Sequence, residues 1–214
     1  LTNVLVVKAN NRPDGISTMM YNVFIEEASK NEALNITTFD VFEANLPHYG
    51  QDLFDAFGKL QNGEELNEAE AASIAAQQKS QAAIKNADVL VFAFPLWNLT
   101  IPSALQAFID YNLQAGFTFK YNAEGKKEFL LGDKKVYLLN ARGGFYNIPK
   151  VNAMEMAVNY MHVVLKNYFG LAVTDEVIIE GHAQDRENAQ SIIADGLDKV
   201  KALAKTIQPI ALQK

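Results

Sequence analysis

The chain has 214 residues, 49% of them hydrophobic, which suits one sizeable domain over residues 1–214 with a substantial core. Nineteen basic against 25 acidic residues leave a formal charge of −6 with no long block of either sign, which argues against nucleic acid or a polybasic membrane anchor and for a small-molecule partner. Without cysteine, disulfides, thiolate nucleophiles, thiolate-ligated zinc and iron–sulfur clusters are excluded, so redox chemistry would need a borrowed cofactor. The chain enters an apolar segment without a basic lead, and no apolar run approaches the roughly 20 residues that span a bilayer, so the expectation is a cytoplasmic protein without membrane contact.

The segment Val4-Leu5-Val6-Val7 is β-branched and continuously apolar, as a strand buried on both faces must be. A polar turn, Asn10 to Gly15, leads into a predicted helix from about Ser17 to Lys30, with Tyr21, Phe24, Ile25 and Ala28 at helical spacing. Asn35 to Phe39 alternates weakly and reads as an edge strand. Asn67 to Lys85 is rich in alanine, glutamate and glutamine, and opens with Asn67 as cap and Glu70 as its reciprocal partner. It leads into the most apolar strand, Val89 to Ala93. Pro95 to Pro102 breaks the pattern, and Pro102 suits the first turn of a helix running to Leu113.

Phe117, Phe119 and Tyr121 alternate around a turn at Asn122 to Gly125, which predicts a hairpin-like insertion over 117–131. Val136 to Leu139 is a fourth strand. Met154, Val158, Met161 and Leu165 predict one helix ending at Gly170, Val177 to Ile179 a fifth strand, and Arg186 to Lys205 a last amphipathic helix. Strands alternating with helices imply an α/β fold, a doubly wound parallel sheet of five strands in the order 2-1-3-4-5. Such sheets bind ligands at the carboxyl ends of their strands, so residues 8–19, 95–102 and 140–147 should converge there.

Each loop has an apt chemistry and a plainer alternative. Asn10, Ser17 and Thr18 stand where a helix N-terminus favours an anion, although Ser17 equally suits an ordinary N-cap. Neither G-x-G-x-x-G nor a Walker lysine motif is present, which favours a phosphomonoester over a dinucleotide or triphosphate. Pro95 to Leu99 can face a flat heterocycle, with Trp97 as a wall and Asn98 as donor and acceptor; the plainer reading puts Trp97 in the core. Arg142 precedes the paired Gly143 and Gly144, which permit close backbone approach or simply a turn, and Arg142 equally suits a surface cation. Tyr146 suits core or rim. His48, His162 and His182 are too scattered for a metal signature, so no metal is assigned, and Glu180-Gly181-His182 reads as a supporting turn. No G-x-S-x-G elbow marks a hydrolase.

Lys8-Ala9-Asn10 with Ser17, Pro95-Leu96-Trp97-Asn98-Leu99 with Ile101-Pro102, Gly116 to Tyr121, and Asn140-Ala141-Arg142-Gly143-Gly144 together resemble the FMN-dependent NADH-azoreductase family, which comprises flavodoxin-like NAD(P)H:quinone oxidoreductases. The resemblance runs nearly end to end. It implies a homodimer with one FMN per subunit and active sites that draw on both chains. Carried over by position, Asn10, Ser17, Thr18 and Met19 would hold the FMN phosphate, Met19 by its backbone N–H because relatives often have a serine there. Pro95, Leu96, Trp97, Asn98, Leu99, Asn140, Arg142, Gly143 and Gly144 would line the ring. Tyr146 stands where some relatives have histidine and would serve the pyrimidine edge. Trp97, Tyr121 and Tyr168 would shape the substrate side. The implied activity is ping-pong hydride transfer from NADH, or NADPH, through flavin N5 to quinones and aromatic azo compounds. The flavin would carry the chemistry without a protein nucleophile. The rival reading is a flavodoxin-type electron carrier.

Overall fold

In the computed structural model, which describes residues 1–209, every position of the strand Val89–Pro95 is buried. In chain order the elements are β1 (Thr2–Lys8), α1 (Ile16–Ala28), β2 (Leu34–Asp40), α2 (Gln51–Asn62), α3 (Glu68–Asn86), β3 (Val89–Pro95) and α4 (Ser103–Asn112). There follow β4 (Phe119–Tyr121), β5 (Lys127–Phe129), β6 (Lys135–Arg142), α5 (Pro149–Asn152), α6 (Val158–Val164), a π-helical turn (Leu165–Phe169), β7 (Val173–Glu180) and α7 (Ala189–Thr206). Five of these strands pair in parallel in the order β2-β1-β3-β6-β7. With the antiparallel pair β4-β5 set aside, this is the expected 2-1-3-4-5 order, with β2 at the edge.

The two-residue strand period builds a core on each side of the sheet. Leu5, Val7, Leu90, Phe92, Phe94, Val136 and Leu138 pack with residues of α3, α4 and α6 on one side. Val4, Val6, Val89, Val91, Leu139 and Ile179 pack with Met20 and Phe24 of α1 and Val200 and Leu203 of α7 on the other. Helix α3 opens with the anticipated capping box. The Asn67 side chain accepts the Glu70 N–H at 2.9 Å, and the Glu70 carboxylate accepts the Asn67 N–H at 2.8 Å.

Three features depart from the sequence reading. Helix α2 was not anticipated, although Leu53, Ala56, Phe57 and Leu60 keep helical spacing and Gly63 closes it in the left-handed region. Helix α1 starts at Ile16 with Gly15 as its cap, so Ser17 is not the N-cap. The helix expected to hold Met154 through Leu165 is broken: α5 ends at Asn152, Met154 is exposed, and helix resumes only at Val158. The cause is Glu155, whose carboxylate accepts the N–H groups of Ala157, Val158 and Asn159 at 3.0, 2.8 and 3.1 Å and so fixes a new helix start. The helical run then loosens into the π-turn and stops at Gly170, whose φ is +72°. His162 is exposed and pairs with Glu176 at 2.7 Å.

Helix α7 lies against β7 at Gly196, where a Cβ would run into the Ile179 side chain. Gly196→Val should therefore overpack this layer and cost about 1–3 kcal/mol. Urea unfolding should show a lower midpoint with an unchanged slope. A midpoint equal to wild type would mean that α7 has slack against the sheet.

Candidate functional site

The carboxyl ends of β1, β3 and β6 open onto a crevice of about 300 Å³, lined by residues from 10–17, 95–97 and 141–143 together with His182. In the first loop, Asn10 is buried and locked. Its Oδ1 accepts the Arg12 N–H at 2.9 Å and its Nδ2 donates to Ser17 Oγ at 2.8 Å. Because Ser17 Oγ accepts that bond, its own proton is directed elsewhere. The loop closes so tightly that a Cβ on residue 15 would collide with the Asn10 amide. Gly15 caps α1 without a side-chain hydrogen bond, so the N–H groups of the first turn stay available beside the Ser17 hydroxyl. This is a cradle for an anion. The Thr18 hydroxyl is committed to the Arg12 carbonyl at 2.8 Å, and Met19 points outward, exposed.

The second loop is a strained two-residue turn. Trp97 and Thr100 exchange both N–H···O bonds at 3.0 and 3.1 Å, and the residues between them, Asn98 and Leu99, have φ of +48° and +72°. Two positive φ angles mark a type I′ turn, and a leucine there costs roughly 1–2 kcal/mol. Trp97 is half-buried and stands outside the core. It forms a wall between the crevice and a second groove of about 570 Å³ over the start of α4, on which Asn98 also opens.

The third loop is held from behind. Arg142 is buried; its Nη2 and Nε lie 2.8 and 2.9 Å from Glu180, and its Nη1 lies 3.5 Å from Glu155. Glu180 also accepts the Tyr146 N–H at 3.0 Å, and the Tyr146 ring centroid lies 5.6 Å from the guanidinium. The Gly143 carbonyl accepts the N–H groups of Ala183 and Gln184, which makes the loop after β7 a fourth wall. Asn140 lies fully buried beneath: its Nδ2 donates to the Phe94 carbonyl at 3.0 Å, and its Oδ1 has no hydrogen-bond partner.

A family model described as flavodoxin-like fold matches residues 2–204 of this chain. The chain is 42% identical over 207 residues to FMN-dependent NADH:quinone oxidoreductase 1 of Bacillus licheniformis, covering 95% of this chain and 99% of the relative. The chain belongs to the FMN-dependent NADH:quinone oxidoreductase family. A Brevibacillus brevis protein of that name is 41% identical over 211 residues, covering 96% of this chain and 100% of the relative. The crystal structure of an azoreductase from Bacillus anthracis superposes with a TM-score of 0.87 at 40% identity, covering 97% of this chain and 100% of that one.

In this member of the family, Asn10, Ser17, Pro95, Leu96, Trp97, Arg142 and Gly143 line the crevice, while Asn98 lines the adjoining groove. Thr18, Met19, Leu99, Asn140, Gly144 and Tyr146 flank or underlie it. Leu99 takes part through its carbonyl, which accepts the Met156 N–H at 2.8 Å. Arg142 is not the surface cation of the plainer reading, and its charge is already answered by two carboxylates. Tyr121 and Tyr168 line neither hollow. They gather with Phe119 at ring distances of 5.6 and 6.3 Å, and Lys127 lies 4.3 Å from the Tyr168 centroid, on an exposed patch made by the hairpin and the π-turn.

Sequence reasoning passed over Arg12 in the lining and Glu155 behind it, while the Glu180-Gly181-His182 turn, read only as a support, also contributes His182 to the lining. His182 follows the last strand of the sheet closely, so the strand-end rule that selected the other loops applied to it too. Glu155 stands alone between apolar neighbours, Met154 and Met156, and an acid so placed signals a buried, paired charge. Burial holds His182 below its usual 6.5, so the folded protein keeps the ring neutral where the unfolded chain would protonate it. Above pH 6.5 both states are neutral; as pH falls below 6.5 the unfolded chain takes the proton first and stability drops. His182→Gln should make the acid-side fall of the ligand-free thermal midpoint shallower. Superimposable profiles would mean that this ring is as well solvated folded as unfolded.

Proposed function

We propose that this chain is an FMN-dependent oxidoreductase that passes hydride from NADH to quinones and aromatic azo compounds, with residues 1–214 forming one FMN-binding domain. One observation carries the reading: three strand-end turns meet at a single crevice lined by an uncapped helix N-terminus and Ser17 at one end and an indole wall at the other. That combination fits a phosphomonoester joined to a planar ring. Ser17 donates to the phosphate, the first-turn N–H groups of α1 complement its charge, and Asn10 holds both in place. Trp97 covers the ring and keeps water from it, and the Gly143 and Gly144 amides with Asn98 orient its polar edge. Asn140 Oδ1, buried at the end of β6, has no hydrogen-bond partner among the described residues and leaves an acceptor beneath these loops.

When bound, FMN would supply the redox chemistry by which quinone, NADH and a proton become hydroquinone and NAD⁺. The protein need supply no nucleophile. Donor and acceptor would use the crevice in turn, with NADPH as the second donor to compare. Tyr121 and Tyr168 lie away from this chain's own crevice, so a role on the substrate side requires a second copy, and we read the enzyme as a homodimer. A reaction that consumes NADH belongs in the cytoplasm, where that donor is made. The electron-carrier reading is the weaker, since the relatives described above carry oxidoreductase names.

Anaerobic addition of NADH to the FMN-loaded protein should bleach the flavin absorbance, whereas a carrier would stay oxidised. Initial rates against NADH at several quinone concentrations should give parallel lines, and intersecting lines would reject the alternating scheme. Ser17→Ala should remove one hydrogen bond to a charged group, about 1.5–3 kcal/mol, and weaken FMN binding roughly 10- to 100-fold in a fluorescence titration. Unchanged binding would place the phosphate elsewhere.

A further inference from the structure

The segment between α5 and α6 touches two of the crevice loops from behind. Glu155 is buried, and its carboxylate stands 3.5 Å from Arg142 Nη1 while it receives the N–H groups that start α6. The next residue, Met156, donates its backbone N–H to the Leu99 carbonyl at 2.8 Å, inside the strained Trp97–Thr100 turn. Arg142 continues the chain of contacts to Glu180, which holds the Tyr146 N–H. Strand pairing links the two loops as far as the Leu96 N–H and the Ala141 carbonyl, 2.9 Å apart; beyond that bond, the consecutive residues Glu155 and Met156 reach one loop each.

A cluster of one guanidinium and two carboxylates is poorly explained as a source of stability. Taking these charges out of water costs several kcal/mol per ion, and apolar replacements of like volume are often neutral or stabilising. Its geometric effect is specific. The Trp97–Thr100 turn has two left-handed residues and relaxes unless its surroundings hold it. The Met156 N–H holds it only while residue 155 is pinned, and Glu155 is pinned by the α6 N–H groups on one side and by Arg142 on the other.

We infer that Glu155 is a positioning residue that sets the spacing between the Trp97–Thr100 turn and the Arg142–Tyr146 loop, and so the width of the slot for the cofactor ring. The consequence for the ring rests on the functional reading given above; the coupling of the two loops does not. The variant to make is Glu155→Gln, which keeps an oxygen for the α6 N–H groups and removes the charge that faces Arg142. Hydrogen exchange on the ligand-free protein should then be at least about tenfold faster at the Met156 and Tyr146 amides together, with β1 amides and the thermal midpoint close to wild type. On FMN loading, the visible circular dichroism of the bound flavin should change and the affinity fall about tenfold.

Wild-type exchange at either amide would overturn the inference, because Glu155 would then not serve both loops. Faster exchange throughout the sheet would overturn it too, since the residue would then act on global stability alone. Failure of the wild-type protein to take up FMN would sink the functional reading, while the exchange result would still decide the role of Glu155. Loosened amides with unaltered flavin dichroism and affinity would overturn the claim that the spacing matters to the ring.

Discussion

Parallel pairing sends every carbonyl end of the sheet to one edge, and the site of this protein exists because of that constraint. Lys8 is in register with Ala93, Pro95 with Ala141, and Arg142 with Glu180, so four turns leave the sheet at nearly one level. Their convergence needs no attraction between the turns themselves. It follows from two cores that hold the strands from both sides, through Leu90 and Phe92 on one and Val89 and Val91 on the other. The register in turn depends on side chains that slip to the wrong face with any one-residue shift.

On that edge the chain accepts costs that the interior offsets. Leu99 sits in a left-handed conformation, Arg142 is buried among carboxylates, and Asn140 keeps one oxygen without a partner. Each is unfavourable alone, by about 1–3 kcal/mol for the backbone and the orphaned acceptor. They lie close together because the strand ends are where side chains and backbone must face a ligand instead of one another. Strain of this kind persists only where neighbours over-determine the conformation, and here the neighbours are the segment after α5, through Met156, and the end of β7, through Glu180.

The fold was largely legible because its central strands are buried on both faces. Val4 to Val7 and Val89 to Ala93 read as strands from composition alone, and the alternating aromatics at 117, 119 and 121 announced the hairpin. Helix spacing was a poorer guide. Leu53 to Leu60 carried it unremarked, while Met154, Val158, Met161 and Leu165 carried it across a break. Periodicity records which positions want burial, and it is blind to a carboxylate that intercepts three N–H groups and restarts a helix, as Glu155 does. The positions of the loops were legible by the strand-end rule, but the state of each side chain was not. Ser17 as cap or ligand turned on Asn10 seven residues away, and Arg142 on Glu180, 38 residues away. Pairings at such separations leave no trace in local pattern.

The two ends of the crevice therefore differ in what they demand of the sequence. At the α1 end the cradle is made of backbone N–H groups, which any residue except proline supplies, and only Asn10, Gly15 and Ser17 are constrained, by one hydrogen-bonded lock and one close approach. At the other end the indole of the strained Trp97–Thr100 turn shares the crevice with Gly143, far from it in sequence. That end needs support from a distance, and the buried charges supply it, because an ion pair has a preferred length and direction whereas an apolar contact has neither. The same reasoning separates the aromatic patch of Tyr121 and Tyr168 from the crevice. It is held by Lys127 stacked between rings and by a hairpin of two three-residue strands, with no ion pair tying it to the sheet edge. Lys127 Nζ also donates to the Asn167 carbonyl at 3.3 Å, so the hairpin is tied to the π-turn.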